Sequence, residues 1–210
     1  ILLAPLMTPW VGFTLAVTTG SWRFFLLTLA GLLLGGVLIF FSGSLAGLAA
    51  RTGSSFSMTQ ASTQSHLWWP NLVVLALGAV LLVASFVRSE EKPILASVMV
   101  AYEFYLPLSA AGYGLGRSAY DVWPNGLFVF IFHFSLAVLL GMATLFILRF
   151  HPRKVLGYFL PVLVGAVSLA AVLYLSGLAN MLTGFFSTRP VTLPTPTPMP
   201  TGTATKTPAG

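Results

Sequence analysis

From residue 24 to residue 49 the chain runs through 26 positions without a charged side chain. About 20 apolar residues in a helix rising 1.5 Å each cross the roughly 30 Å hydrocarbon core of a bilayer. Five more apolar runs accompany this one, at residues 1–19, 68–87, 94–115, 127–148 and 155–180. A chain in lipid must satisfy every backbone polar group internally, and a helix does so within one segment. The expected fold is therefore all-α: a polytopic transmembrane helix bundle of about six spans over residues 1–186. Residues 187–210, with PVTLPTPTPMPTGTATKTP, are mostly threonine and proline. Such composition cannot pack a core and is expected to form a disordered, extended tail.

Composition narrows the function classes. The 210 residues are 57% apolar and 7% charged, against about 25% charged in an average soluble domain. There is no cysteine, so disulfides, thiolate metal sites and cysteine nucleophiles are excluded. No histidine pair stands at metal-ligand spacing, and no glycine-rich phosphate loop follows a strand. Neither an enzyme, a metal nor a cofactor is expected. The net charge of +6 comes from ten scattered lysines and arginines, which suits anchoring at segment ends better than nucleic-acid binding.

The connections set the expected sidedness. Arg23, the RSEEKP turn (88–93) and the basic turn with Arg149, Arg153 and Lys154 share one side, while Arg51, Arg117, Arg189 and Lys206 share the other. Positive charge in short loops marks the cytoplasmic face. The expectation is a multi-pass protein of the inner (plasma) membrane with its C-terminal tail outside. The serine- and threonine-rich stretch 51–66 is expected as a solvated loop. Trp68, Trp69 and Trp123 fit the aromatic belt.

Chemistry concentrates between residues 103 and 121, EFYLPLSAAGYGLGRSAYD. Glu103 lies about ten residues into the fourth segment, near mid-bilayer, and a carboxyl at that depth is a functional-site hypothesis. Pro107 follows at i+4 and has no N–H to offer the Glu103 carbonyl, leaving that oxygen for a cation or water. Ala110, Ala111 and Gly114 fall on the same helical face, and a glycine-rich exit runs through Gly112, Gly114 and Gly116. His133, some seven residues into the fifth segment, can reach Glu103's depth, and such pairs serve proton relays. In the first segment, Pro5 and Pro9 are expected to break or kink the helix near one end. LAPL (3–6) and YLPL (105–108) would then place interrupted helices at matching positions of two three-helix halves, a pointer to transporter-like sites.

Structural roles compete with each of these. Glu103 can equally act as hydrogen-bonding glue between helices, and His133 as a packed residue between Phe132 and Phe134. Gly31/Gly35 and Gly43/Gly47 repeat at four-residue spacing, which lets helices approach closely. They suit packing within the chain's own bundle or a seam with a second copy or partner subunit.

Three stretches carry a family resemblance: APLMTPWVGFTLAVTTGS (4–21), RSEEKPILASVMVAYEFYLPLSAAGYGLG (88–116) and WPNGLFVFIFHFSLA (123–137). They resemble the uncharacterised hydrophobic membrane-protein family called domain of unknown function 389, above all in the APLM-x-P helix. The resemblance covers most of residues 1–180 and implies a further span, and often a small soluble domain, ahead of residue 1. A chain opening at Ile1 inside an apolar run is accordingly expected to be a fragment. The family lends architecture and no activity. The expected function is transporter-like or channel-like, through Glu103, Pro107 and His133 with Pro5 and Pro9, for an ion or small solute. The alternative is a structural or assembly subunit whose partners are the bilayer and neighbouring helices.

Overall fold

A computed structural model describes residues 4–52, 59–88, 94–150, 152 and 155–177, with the side chains of residues 4–8, 52, 59–60 and 155–156 outside the description. The chain is all-α. Its helices are α1 (Ala4–Thr19), α2 (Trp22–Thr52), α3 (Thr59–Gln64), α4 (Trp69–Arg88), α5 (Ile94–Arg117), α6 (Trp123–Ile147) and α7 (Phe159–Leu175), with a 3-10 turn over Val155–Tyr158 leading into α7. Four of them, α2, α4, α5 and α6, are long and apolar enough to cross a membrane. The described parts of α1 and α7, at 16 and 17 residues, fall below the roughly 20 that a full crossing needs. Among the described residues, four helices are thus of full spanning length.

Several expectations are revised. Helix α1 runs unbroken through Pro9. The bond that Pro9 cannot make is to the residue 5 carbonyl, one turn back. The polar stretch after α2 is not all loop: α3 forms within it and packs against α5, and Ser65 at its end is buried. Helix α5 continues through the glycine-rich exit to Arg117, and α6 begins at Trp123. Pro124 fits its first turn, where no intrahelical N–H partner is needed. The RSEEKP residues 89–93, the basic residues His151, Arg153 and Lys154, and the tail lie outside the described residues.

Helix α2 is the longest element. Arg23 and Arg51 stand 28 positions apart on it, about 42 Å along the axis, matching the 40–45 Å between the two headgroup layers. The helix is therefore long enough to place one polar end in each layer. Its apolar faces are largely open, with Leu27, Leu34, Leu38 and Phe41 all exposed. In lipid that exposure carries no hydrophobic penalty.

Glycine decides how α2 meets α5. A Cβ at Gly43 would lie 2.4 Å from the Ser109 carbonyl oxygen, and one at Gly47 would lie 2.2 Å from that of Tyr113. In return, Gly112 faces the Phe40 carbonyl and Gly116 that of Ser44, at 2.1 and 2.0 Å from the same ideal position. Both registers advance by four residues together, so α2 and α5 run parallel with their backbones touching. Helix α6 returns antiparallel to α5, with Gly126 against Pro107 and Ala111 and Gly114 against Trp123. Helix α4 covers the α5–α6 pair, its Gly78 against Met99 and Val100.

Turns close the helices by a common device. At the α1 end the Gly20 amide bonds to the Val17 carbonyl and the Ser21 amide to that of Ala16, with Gly20 at φ 71°. This Schellman cap uses the left-handed region that glycine enters freely. The ends of α5 and α6 make the same pair of bonds with Ser118 (φ 60°) and Arg149 (φ 65°) in the glycine position.

Candidate functional site

The α5–α6 hairpin brings Glu103 and His133 together. Gly126 lets α6 approach at Pro107 and Ala111, and two turns further along α6 His133 comes level with Glu103. The two side chains are 3% and 1% exposed, and His133 Nδ1 lies 3.4 Å from Glu103 Oε2. The same Nδ1 is 3.0 Å from the backbone carbonyl of Glu103. A carbonyl only accepts, so Nδ1 carries the hydrogen and donates it. This is the carbonyl that Pro107, buried within α5, leaves without its helical amide. The oxygen expected to await a cation or water is occupied by the imidazole of the next helix.

The remaining nitrogen, His133 Nε2, is buried with no protein partner among the described residues, as is Trp10 Nε1. Trp10 belongs to α1 and meets Phe104 edge-on at 6.2 Å, one residue from Glu103. Leu75 and Ala79 of α4, Ala101 and Phe104 of α5, and Ala137 of α6 share one buried apolar cluster with Trp10. A low-dielectric surround of this kind strengthens a polar contact and raises the cost of leaving one unmade.

The other expected site residues go elsewhere. Pro9 packs against Gly31 of α2, about 3.7 Å from the position of its absent Cβ. Pro5 contributes only backbone to the description, and LAPL begins at Leu3, outside it. Gly35, Gly43 and Gly47 are buried, and the last two are spent on the α2–α5 seam inside this chain. Gly112 and Gly116, whose spacing repeats that of Gly43 and Gly47, complete that seam; the same four-residue rule applied to α5 would have found them. Thr14 and Thr18 of α1 also escaped notice. Both are fully buried, and their hydroxyls donate to carbonyls one turn back, Thr14 to Trp10 and Val11, Thr18 to Thr14. Such self-satisfied hydroxyls leave no sequence signal beyond the i+4 spacing of residues 10, 14 and 18.

A groove of about 510 Å3 lies between α2, α5 and α6, lined by Leu33, Val37, Phe40, Leu108 and Phe134 among others. Phe104 and Tyr105 border it, but Glu103 and His133 do not. The acid–imidazole pair is thus closed off from the groove. Among the described residues no cluster of three metal-binding side chains exists.

The architecture and the APLM-x-P helix can be set beside known proteins. The family described as "Domain of unknown function (DUF389)" matches residues 1–148. The chain belongs to the DUF389 family. No curated protein and no solved structure matches it. The matched region runs from α1 through α6 and so contains the Glu103–His133 pair and both glycine seams. As a DUF389 member with four helices of spanning length, the chain is an integral membrane protein.

Proposed function

We propose that this protein is transporter-like, with Glu103 and His133 forming a proton- or cation-binding site at mid-membrane depth. The observation that carries the reading is the burial together of a carboxyl and an imidazole, on facing helices, at a proline-made gap in the α5 hydrogen bonding. Ionisable groups at that depth mark ion pathways and proton relays. His133 Nε2 offers the second valence of such a relay, since it has no protein partner among the described residues. The closed surround favours a carrier that occludes its site over a channel, which needs a continuous path. The multi-pass arrangement would sit in the inner (plasma) membrane, with the Arg23 end of α2 in the cytoplasm and the Arg51 end outside.

The decisive experiment is proton and cation flux in liposomes carrying the full-length protein, wild type against Glu103→Gln. The transport reading expects flux that the variant loses while its helical content and thermal midpoint stay near wild type. Absence of flux in both proteins, with the variant only less stable, would overturn it. That outcome supports the second reading, a structural or assembly subunit, which the pair's separation from the groove favours.

A further inference from the structure

What a mid-membrane carboxyl can bind depends on the lone pairs gathered around it. Metal cations are held by several oxygens at once, about six or more around Mg2+ and Ca2+. Channels and carriers supply such oxygens to K+ and Na+ largely from carbonyls released by irregular or unwound backbone. A proton needs a single lone pair.

The surroundings of Glu103 and His133 are poor in oxygen. The carbonyl that Pro107 frees already receives the Nδ1 hydrogen of His133 at 3.0 Å, and an N–H aimed at that oxygen keeps a cation from it. Tyr105 stands two residues beyond Glu103 and Ser135 two beyond His133, so each is turned about 200° round its helix from the pair. Thr14 packs on Gly141, eight residues or about 12 Å along α6 from His133, and its hydroxyl donates to Trp10 and Val11. Thr144 is farther along α6 and donates to Leu140. The neighbouring Leu75, Ala79, Ala101, Phe104 and Ala137 are apolar. A nitrogen-seeking metal fares no better, since the described residues hold no third ligand beside the two.

No second charge faces the pair among the described residues. Arg23 and Arg51 stand at the ends of α2, Arg88 at the end of α4 and Arg117 at the end of α5, while α1 and α7 have no charged residue. With Glu103 ionised and His133 neutral, the pair therefore carries one uncompensated negative charge, which is costly in an apolar surround. One proton, taken by the carboxylate or by the unpartnered Nε2, brings the pair to zero net charge and requires no further ligand.

We infer that Glu103 and His133 bind one proton per chain and exclude metal cations, so that the ion of the proposed carrier is the proton. The transport role rests on the reading above; the proton site rests on the ligands.

Infrared difference spectra of the full-length protein in lipid, recorded between alkaline and acidic buffer, test the site without turnover. The wild type is expected to gain a carboxylic-acid carbonyl band on acidification that Glu103→Gln lacks, with a midpoint unmoved by added Na+, K+ or Mg2+. Should Glu103→Gln not fold, Glu103→Asp keeps a carboxyl and is expected to shift the band's frequency, which assigns it equally. A cation competing for the site would lower the midpoint by about 2 pH units at a hundredfold its Kd. Such a fall overturns the proton inference and leaves a cation carrier. A Glu103 carboxyl without any pH-dependent band overturns the proton site whatever the flux. A titrating, cation-insensitive band in a protein without proton flux upholds the site and overturns transport alone.

Discussion

His133 Nδ1 donates to the backbone carbonyl of Glu103 across 3.0 Å, joining residues thirty positions apart in sequence. Pro107 makes the bond available, because its nitrogen has no hydrogen to give that carbonyl. One proline therefore couples two other residues. It opens a gap in α5, the imidazole of α6 fills the gap, and the filled position holds the imidazole within 3.4 Å of the Glu103 carboxyl.

Removing the imidazole should cost stability in a way that a replacement donor restores. His133→Ala leaves the Glu103 carbonyl buried without a partner and should destabilise by about 1–3 kcal/mol. His133→Gln keeps an N–H donor and should recover part of that loss. Thermal midpoints of both variants in one detergent check the order; an alanine variant as stable as wild type would remove the bond from the account.

Pro107→Ala should separate stability from function. The new amide can take back the Glu103 carbonyl and mend α5, whose interior proline costs up to about 3 kcal/mol in an ordinary helix. His133 would then lose its acceptor to competition. The expected result is an equal or higher thermal midpoint together with lost flux in liposomes, as when local strain is kept at a working site. A variant with normal flux would show that the gap serves folding or packing alone.

The two glycine classes on α2 should respond oppositely to alanine. At Gly47, and at Gly116 on α5, the added methyl meets a carbonyl oxygen at 2.2 and 2.0 Å, and backbone must move. Such overpacking is expected to cost about 1–3 kcal/mol. At Gly36 the nearest atom is a Leu108 methyl at 3.6 Å, an ordinary contact, and alanine there should be neutral or stabilising by up to about 1 kcal/mol. Thermal melts of the single variants make the comparison. Equal effects at Gly36 and Gly47 would deny the close α2–α5 approach.

Helix caps give a second pair of opposite signs. Gly20→Ala puts a side chain at φ 71° and 2.4 Å from the Gly157 carbonyl oxygen, so it should destabilise by more than 1 kcal/mol on conformational grounds alone. Arg149 already sits at φ 65° in the corresponding position after α6. Arg149→Gly should relieve that strain and stabilise by about 1 kcal/mol. Chemical or thermal unfolding of the two variants reads both signs.

Hydropathy was enough for the class of fold and the place of most helices. Residues 24–49 cannot be buried by anything in water, and lipid permits them only as helix, so α2 followed from composition alone. Glu103 stood out for the same reason, as the one acid inside an apolar run. The four-residue spacing of Gly43 and Gly47 showed that some helix comes close. It did not say which. Periodicity names a helix face but not its partner, because one small-residue ridge fits any complementary ridge. Packing within the folded chain made that partner α5, through Gly112 and Gly116, and so turned a candidate seam between copies into an internal one. The same limit applied at Pro107. A missing amide announced a free carbonyl, but the group that takes it lies on another helix. Only the register of α6 against α5, set where Gly126 meets Pro107 and Ala111, brings His133 to that oxygen.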